Sequence, residues 1–191
     1  STRRSTRWVS PSTPTSEGES VDRSGANDLQ SGLTSGDRTR SFVQWDTSRL
    51  VGRQVTSATI NLYNWYSQSC TAAQWEVWTT GAASSATRWS NQPAWQTREV
   101  TSTATKGHSS SCADGWVSVN GTSFIQRAVN AGQNRAHMGI RATDETSINS
   151  IGFKQFRSSQ RPSRNSRGSS RTRWSTTTAT RTPGPAEVAA R

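Results

Sequence analysis

The sequence predicts an all-β protein, an antiparallel β-sandwich of jelly-roll type with one short helix. Three observations carry this. Apolar and polar residues alternate with period two in several short runs rich in β-branched and aromatic residues. Those runs are separated by clusters of Gly, Asn, Asp, Ser and Pro, the residues that turns favour. Only one stretch, Thr122 to Ala131, sets its apolar residues at helical spacing.

The segment from Arg40 to Tyr66 is the clearest instance. Ser41, Val43 and Trp45 fall on one face of an extended chain, Phe42 and Gln44 on the other. In the run Val55 to Tyr63, Ala58, Ile60 and Leu62 share a face, opposite Ser57, Thr59, Asn61 and Tyr63. Turn residues 46–48 and 51–53 separate the two runs, which reads as a hairpin-like pair.

The other elements follow in order. Trp8-Val9-Ser10 is a weak strand broken by Pro11 and Pro14, and Asp28–Leu33 is a second weak strand. Gln74–Thr79 alternates, with Trp75 and Val77 on one side and Glu76 and Trp78 on the other. Gly81–Ser111 reads as a long irregular stretch, followed by a strand at Trp116–Val119. Thr122 or Ser123 is the expected N-cap of the helix, Phe124, Ile125, Ala128 and Val129 are its apolar stripe, and Gly132 stops it. His137–Ala142 and Ile151–Phe156 are the last two strands of this series.

Hydrophobic residues make up only 29% of the 191, but nine are Trp, whose large side chains let fewer residues fill a core. The net charge of +11 is concentrated at the ends: +3 in residues 1–7, +7 in 157–191, and +1 in between. A nearly neutral middle lacks the footprint of a specific nucleic-acid-binding domain. The ends read as disordered and basic, with weak polyanion binding through the Arg-rich tail as a third functional hypothesis. No apolar run is long enough for membrane insertion. The opening STRRSTR has no apolar segment of a signal peptide, though a mature or internal piece of a longer chain would lack one as well. Cys70 and Cys112 sit in similar small-residue loops, SQSCTAA and SSSCADG. A disulfide between them, and with it a secreted or cell-surface location, is favoured over two free cytosolic thiols. Closing a loop of that size stabilises by roughly 3–4 kcal/mol in the chain-entropy picture.

In order along the chain come RSFVQWD, LVGRQVTSATINLY, TRWSNQPAW, GWVSVNGTSFIQRAVNAG, MGIRATDET and FKQFRSS. This succession, over residues 8–159, resembles the DNRLRE domain family, modules of secreted bacterial and surface proteins related to carbohydrate-binding modules. Ser57-Ala58 and Trp89-x-Asn91-Gln92-Pro93 carry the resemblance most specifically. It implies a jelly-roll sandwich within a larger chain, with a non-catalytic role in polysaccharide recognition or surface attachment. It also implies a closing apolar strand after FRSS. Here that place holds an Arg/Ser/Thr-rich tail, 160–191, so the strand is either absent or replaced by residues 172–180, TRWSTTTAT.

No catalytic constellation emerges. His108 and His137 have no evident nucleophile beside them, and no His or Cys set has metal spacing. No cofactor is expected; Asp144 and Glu145, adjacent in a turn, are a weak signal for a structural calcium ion and a stronger one for turn chemistry and surface charge. Sugar binding needs aromatic faces with planar polar groups beside them. Trp65, Tyr66, Trp78 and Trp95 lie at strand ends, on outward faces or in loops, with Arg88, Asn91 and Gln92 nearby, and these seven are the candidate glycan contacts. For Asn91 and Gln92, bonds to the loop's own backbone are an equal expectation. Trp45, Trp75 and Trp116 are assigned to the core, and Trp89 and Pro93 to anchoring the loop. The alternative to polysaccharide binding is a structural spacer or adhesion module whose aromatics only pack.

Overall fold

In the computed structural model alternation sets the buried side where Ala58, Ile60 and Leu62 lie, while the run 41–45 is buried on both faces. The structure describes residues 4–6, 13–18, 21–146, 151–158 and 173–181. Its strands are β1 (Arg4–Thr6), β2 (Thr13–Ser16), β3 (Asp28–Thr34), β4 (Asp37–Asp46), β5 (Arg53–Ser67), β6 (Trp75–Thr80), β7 (Trp95–Ser102), β8 (Gly115–Asn120), β9 (Arg135–Ala142), β10 (Lys154–Arg157) and β11 (Arg173–Arg181). One helix among the described residues, α1 (Thr122–Asn130), lies between β8 and β9. The expected strand at Trp8–Ser10 lies outside the described residues.

Every strand pairing among the described residues is antiparallel. One layer centres on β5, with β8 along one edge and β10 and β11 along the other. The second runs β2-β4-β9-β6-β7. β3 belongs to both: Asp28–Ser31 pairs with β10 and Gly32–Thr34 with β4. Gly32 makes this crossing possible, since its φ is +102° and a Cβ there would stand 2.9 Å from the Gly152 carbonyl oxygen. The Ser41 hydroxyl bridges the opened ladder, accepting from Gln30 N and donating to Gln30 O, both at 2.8 Å.

The core lies between the layers. Val55, Ala58, Ile60, Leu62, Val117 and Val119 face Val43, Trp45, Trp75, Val77, Met138 and Ile140. The Trp75 and Phe156 rings meet at 5.4 Å across the gap. Phe124, Ile125, Ala128 and Val129 of α1 close one end, as their spacing predicts. The helix stop is a Schellman arrangement, with Gly132 N bonded to Val129 O and Gln133 N to Ala128 O.

Several expectations are corrected. β4 and β5 do not pair with each other; a 3-10 turn, Ser48–Leu50, carries the chain from one layer to the other and buries Leu50. The N-cap position is Gly121, not Thr122 or Ser123. Thr122 instead accepts from Ala58 N at 3.0 Å, tying the helix to β5, and Asn120 Oδ1 caps Thr122 N. The irregular stretch 81–111 contains β7, an edge strand whose mostly polar sequence hides it. Pro14 lies inside β2, which among described residues pairs only with β4, so its missing N–H breaks no second ladder. Trp116 is not core: Val117 and Val119 take the inward positions, leaving the indole outside and 40% exposed. Backbone pairing places β11 against Arg53–Asn61 of β5, in the position of a closing strand, and β1 against β11.

Candidate functional site

The outer face of the β2-β4-β9-β6-β7 layer is covered by the chain between β6 and β7. Gln44 Nε2 holds the Ala83 carbonyl at 2.7 Å, and Ala83 is buried. This loop delivers Trp89 and Trp95 onto the sheet. Trp95 lies over Gly139, where a Cβ would come within 2.6 Å of Trp95 Cζ3 and 2.7 Å of Thr80 Cγ2. Phe42 flanks it at 5.2 Å on one side, and Trp78 meets it edge-on at 6.0 Å on the other.

Arginines from neighbouring strands alternate with these rings. The Arg141 guanidinium sits 4.5 Å from the Trp78 ring and 5.1 Å from Trp95. Arg40 sits 5.5 Å from Trp95 and 4.7 Å from Trp89, and Arg38 is 5.7 Å from Trp89. The result is a ladder of indoles and guanidiniums running Trp78, Arg141, Trp95, Arg40, Trp89. Cation–π attraction of this kind contributes about 0.5–1 kcal/mol per contact where water has access.

Carboxylates fix the ladder from beneath. Glu76, its side chain 3% exposed, accepts from Trp78 Nε1 at 2.7 Å and Arg141 Nε at 2.9 Å, with Arg98 at 3.4 Å. Burial pushes its carboxyl up, but the Trp78 N–H and the Arg141 guanidinium outweigh burial and hold it below its ordinary value. Glu145 pairs with Arg40 in a fork, Nε at 2.9 Å and Nη2 at 2.5 Å. Gln92 links the parts: its Oε1 accepts from both Arg40 Nη1 and Trp95 Nε1 at 3.2 Å, and its Nε2 donates to Trp89 O.

Of the seven candidate residues, the structure therefore brings Trp78, Gln92 and Trp95 together. Arg88 and Asn91 lie in the same loop but bond its own backbone: Arg88 Nη1 donates to Ser85 O and Thr87 O, and Asn91 Nδ2 to Ala86 O. Trp65 and Tyr66 are on the other layer's outer face. Arg40, Arg141 and Glu76 went unnoticed as site residues, and Glu145 stood out only as a turn acid and weak calcium candidate. Strand alternation marks Arg40, Glu76 and Arg141 as outward, but only the strand order β4-β9-β6 sets them side by side.

Asp144 Oδ1 accepts from Thr146 N and Oγ1 at 2.8 Å, the turn chemistry expected, while Glu145 forms a partly buried ion pair with Arg40. His108 Nδ1 lies 3.1 Å from Ser67 O, in a structural contact. The expected Cys70–Cys112 disulfide is not formed; both are free thiols, brought together by their loops. The Cys112 thiol, hydrogen-bonded to Cys70, pushes the Cys70 thiol up, with burial adding to it. Below them Lys154 is fully buried and donates to Thr105 Oγ1 at 2.7 Å. Burial lowers its ammonium to about 8, against the pull of the Cys112 sulfur. No described helix is long and apolar enough to cross a membrane.

Stacked rings and guanidiniums with shared carboxylates give this face apolar surface, hydrogen-bonding groups and charge. No curated protein matches the chain. Residues 23–165 match the family model of carbohydrate-binding module family 96. Because that match spans well over half of the chain, the chain belongs to carbohydrate-binding module family 96, and is a non-catalytic binding module.

Proposed function

We propose that the chain is a polysaccharide-binding module of a secreted or cell-surface protein, and that it holds its glycan on the outer face of the β2-β4-β9-β6-β7 layer. The observation that carries this is the ladder of Trp78, Arg141, Trp95, Arg40 and Trp89. Indole edges and faces suit sugar C–H surfaces, and guanidinium donors with the Gln92 amide suit hydroxyl and carboxylate oxygens. The overlap between the family match and the stretch that resembles DNRLRE domains supports the same reading. Oxidation of Cys70 and Cys112 to a disulfide belongs with export.

A second reading, a spacer or adhesion module without glycan, is favoured by the packing of each ladder ring beneath a guanidinium. Affinity electrophoresis against soluble neutral and uronate-containing polysaccharides separates the two. Wild type is expected to be retarded by at least one polymer, and Arg141→Ala or Trp95→Phe, shown to be folded by circular dichroism, to lose most of that retardation. Absence of retardation for the folded wild type favours the spacer, and retardation unchanged in both variants overturns the ladder as the glycan surface.

A further inference from the structure

The outer face of the opposite layer carries an aromatic strip that the ladder does not use. β5 and β8 set Tyr63 directly opposite Trp116 and Asn61 opposite Ser118. Leu62 and Val117 point into the core, so these four side chains point away from it. The Tyr63 and Trp116 rings meet edge to face at 5.4 Å and 84°. Tyr63 Oη donates to Asp114 Oδ2 at 2.9 Å, and Ser118 Oγ donates to Asn61 Oδ1 at 2.6 Å, so both polar neighbours of the rings are held in place. A register shift against β10, with Gln155 opposite Tyr66 but Phe156 opposite Asn64, makes Trp65 the extra residue of a bulge. It continues the strip beyond Tyr63, with Arg157 at 4.2 Å from its ring.

Packing does not account for Trp116. Among the residues whose side chains are described, only Val21, Val51 and Trp116 are large, apolar and exposed, and Val21 and Val51 lie outside the strands. Trp116 instead stands within a strand, where the inward positions were available to it by a one-residue change of register. An indole left 40% exposed beside an ordered Asp, Asn and Ser matches the requirements of a sugar ring: an apolar face to stack on, with donors and acceptors at its edge. The Asp114 carboxylate at the edge of the strip accepts from hydroxyls and repels carboxylates or sulfates, so the fitting occupant carries no charge.

We propose that Trp116, Tyr63, Asn61, Ser118 and Asp114 form a second glycan platform that takes a neutral, extended hexose polymer, on the side of the sandwich opposite the ladder. This rests on the carbohydrate-binding reading but concerns a separate surface. Two such faces would let one module join two polysaccharide chains, an arrangement in which linked sites add avidity without new contacts.

The test measures wild type, Trp116→Ala, Asp114→Asn and Arg141→Ala by affinity electrophoresis in soluble β-glucan, galactomannan, xylan and a polyuronate, with size-exclusion chromatography of each. Trp116→Ala is expected to weaken binding of at least one neutral polymer about tenfold, as loss of a central aromatic anchor does, whether or not Arg141→Ala also weakens it. Asp114→Asn is expected to weaken the same polymer and to ease the exclusion of polyuronate. Unchanged neutral binding in Trp116→Ala with loss in Arg141→Ala overturns the second platform and keeps the ladder. The reverse pattern keeps the platform and overturns the ladder. A self-associating wild type made monomeric by Trp116→Ala, with no change in glycan binding, overturns the platform in favour of a contact between copies.

Discussion

Gly139 lies directly beneath the Trp95 indole, so close that a single added Cβ would stand 2.6 Å from the ring. The two residues come from strands that are not neighbours, β9 and β7, with β6 between them. Gly139→Val is expected to lift the ring from the sheet and to destabilise the fold by about 1–3 kcal/mol, the usual cost of overpacking. Chemical denaturation followed by Trp fluorescence measures both, and an unchanged midpoint would contradict the seating described.

Glu76 makes the ladder sensitive to acid. Its folded carboxyl titrates below its ordinary value, so it contributes stability above the unfolded-state value of 4.5 and loses that contribution as pH falls through the lower, folded value. Glu76→Gln is expected to cost about 1.5–3 kcal/mol at pH 7, the range for hydrogen bonds to a charged group, and to flatten the acid limb of the stability curve. Urea denaturation between pH 3 and 7 checks the slope.

Lys154 acts in the opposite pH range. Its folded ammonium titrates near 8, below the ordinary 10.5, so the unfolded chain holds the proton more tightly between these values. Stability from this group therefore rises with pH from about 8 to 10.5 and carries its full penalty below 8. Lys154→Met is expected to gain about 2 kcal/mol at pH 7, some 3 from the relieved shift less about 1 for the lost Thr105 bond. Comparing wild type and variant melts at pH 7 and 10 isolates it, since the gain should shrink at the higher pH.

The thiol pair offers a fourth check. Mild oxidation with oxidised glutathione is expected to remove two hydrogens from the chain and to raise stability by roughly 3–4 kcal/mol, less any strain. Intact mass before and after oxidation, with Cys112→Ser as the control, measures it; persistent free thiols after oxidation would contradict the expected closure.

Much of the sandwich was legible because inward positions are written in the alternation of Val43 and Trp45, Ile60 and Leu62, or Trp75 and Val77. β7 was not, because an edge strand with one core-facing contact at Val100 has little apolar signal to give. Trp116 misled for a related reason: GWVSV alternates aromatic with β-branched residues, and either set could face the core. The ladder was half legible. Trp78, Gln92 and Trp95 stand out as types, but their guanidinium partners come from β4 and β9, and no local spacing encodes which strands become neighbours.

The position of β11 has a practical side. The family match stops at residue 165, whereas the strand that covers Arg53–Asn61 of β5 begins at Arg173. A chain trimmed to the matched residues would therefore carry a bare ladder of backbone donors and acceptors along its longest strand. Such an edge is satisfied most readily by the same segment from another molecule, so trimming would invite strand exchange between copies. The residues beyond the family's boundary serve the module as a plug, and any shortened version needs one supplied in trans.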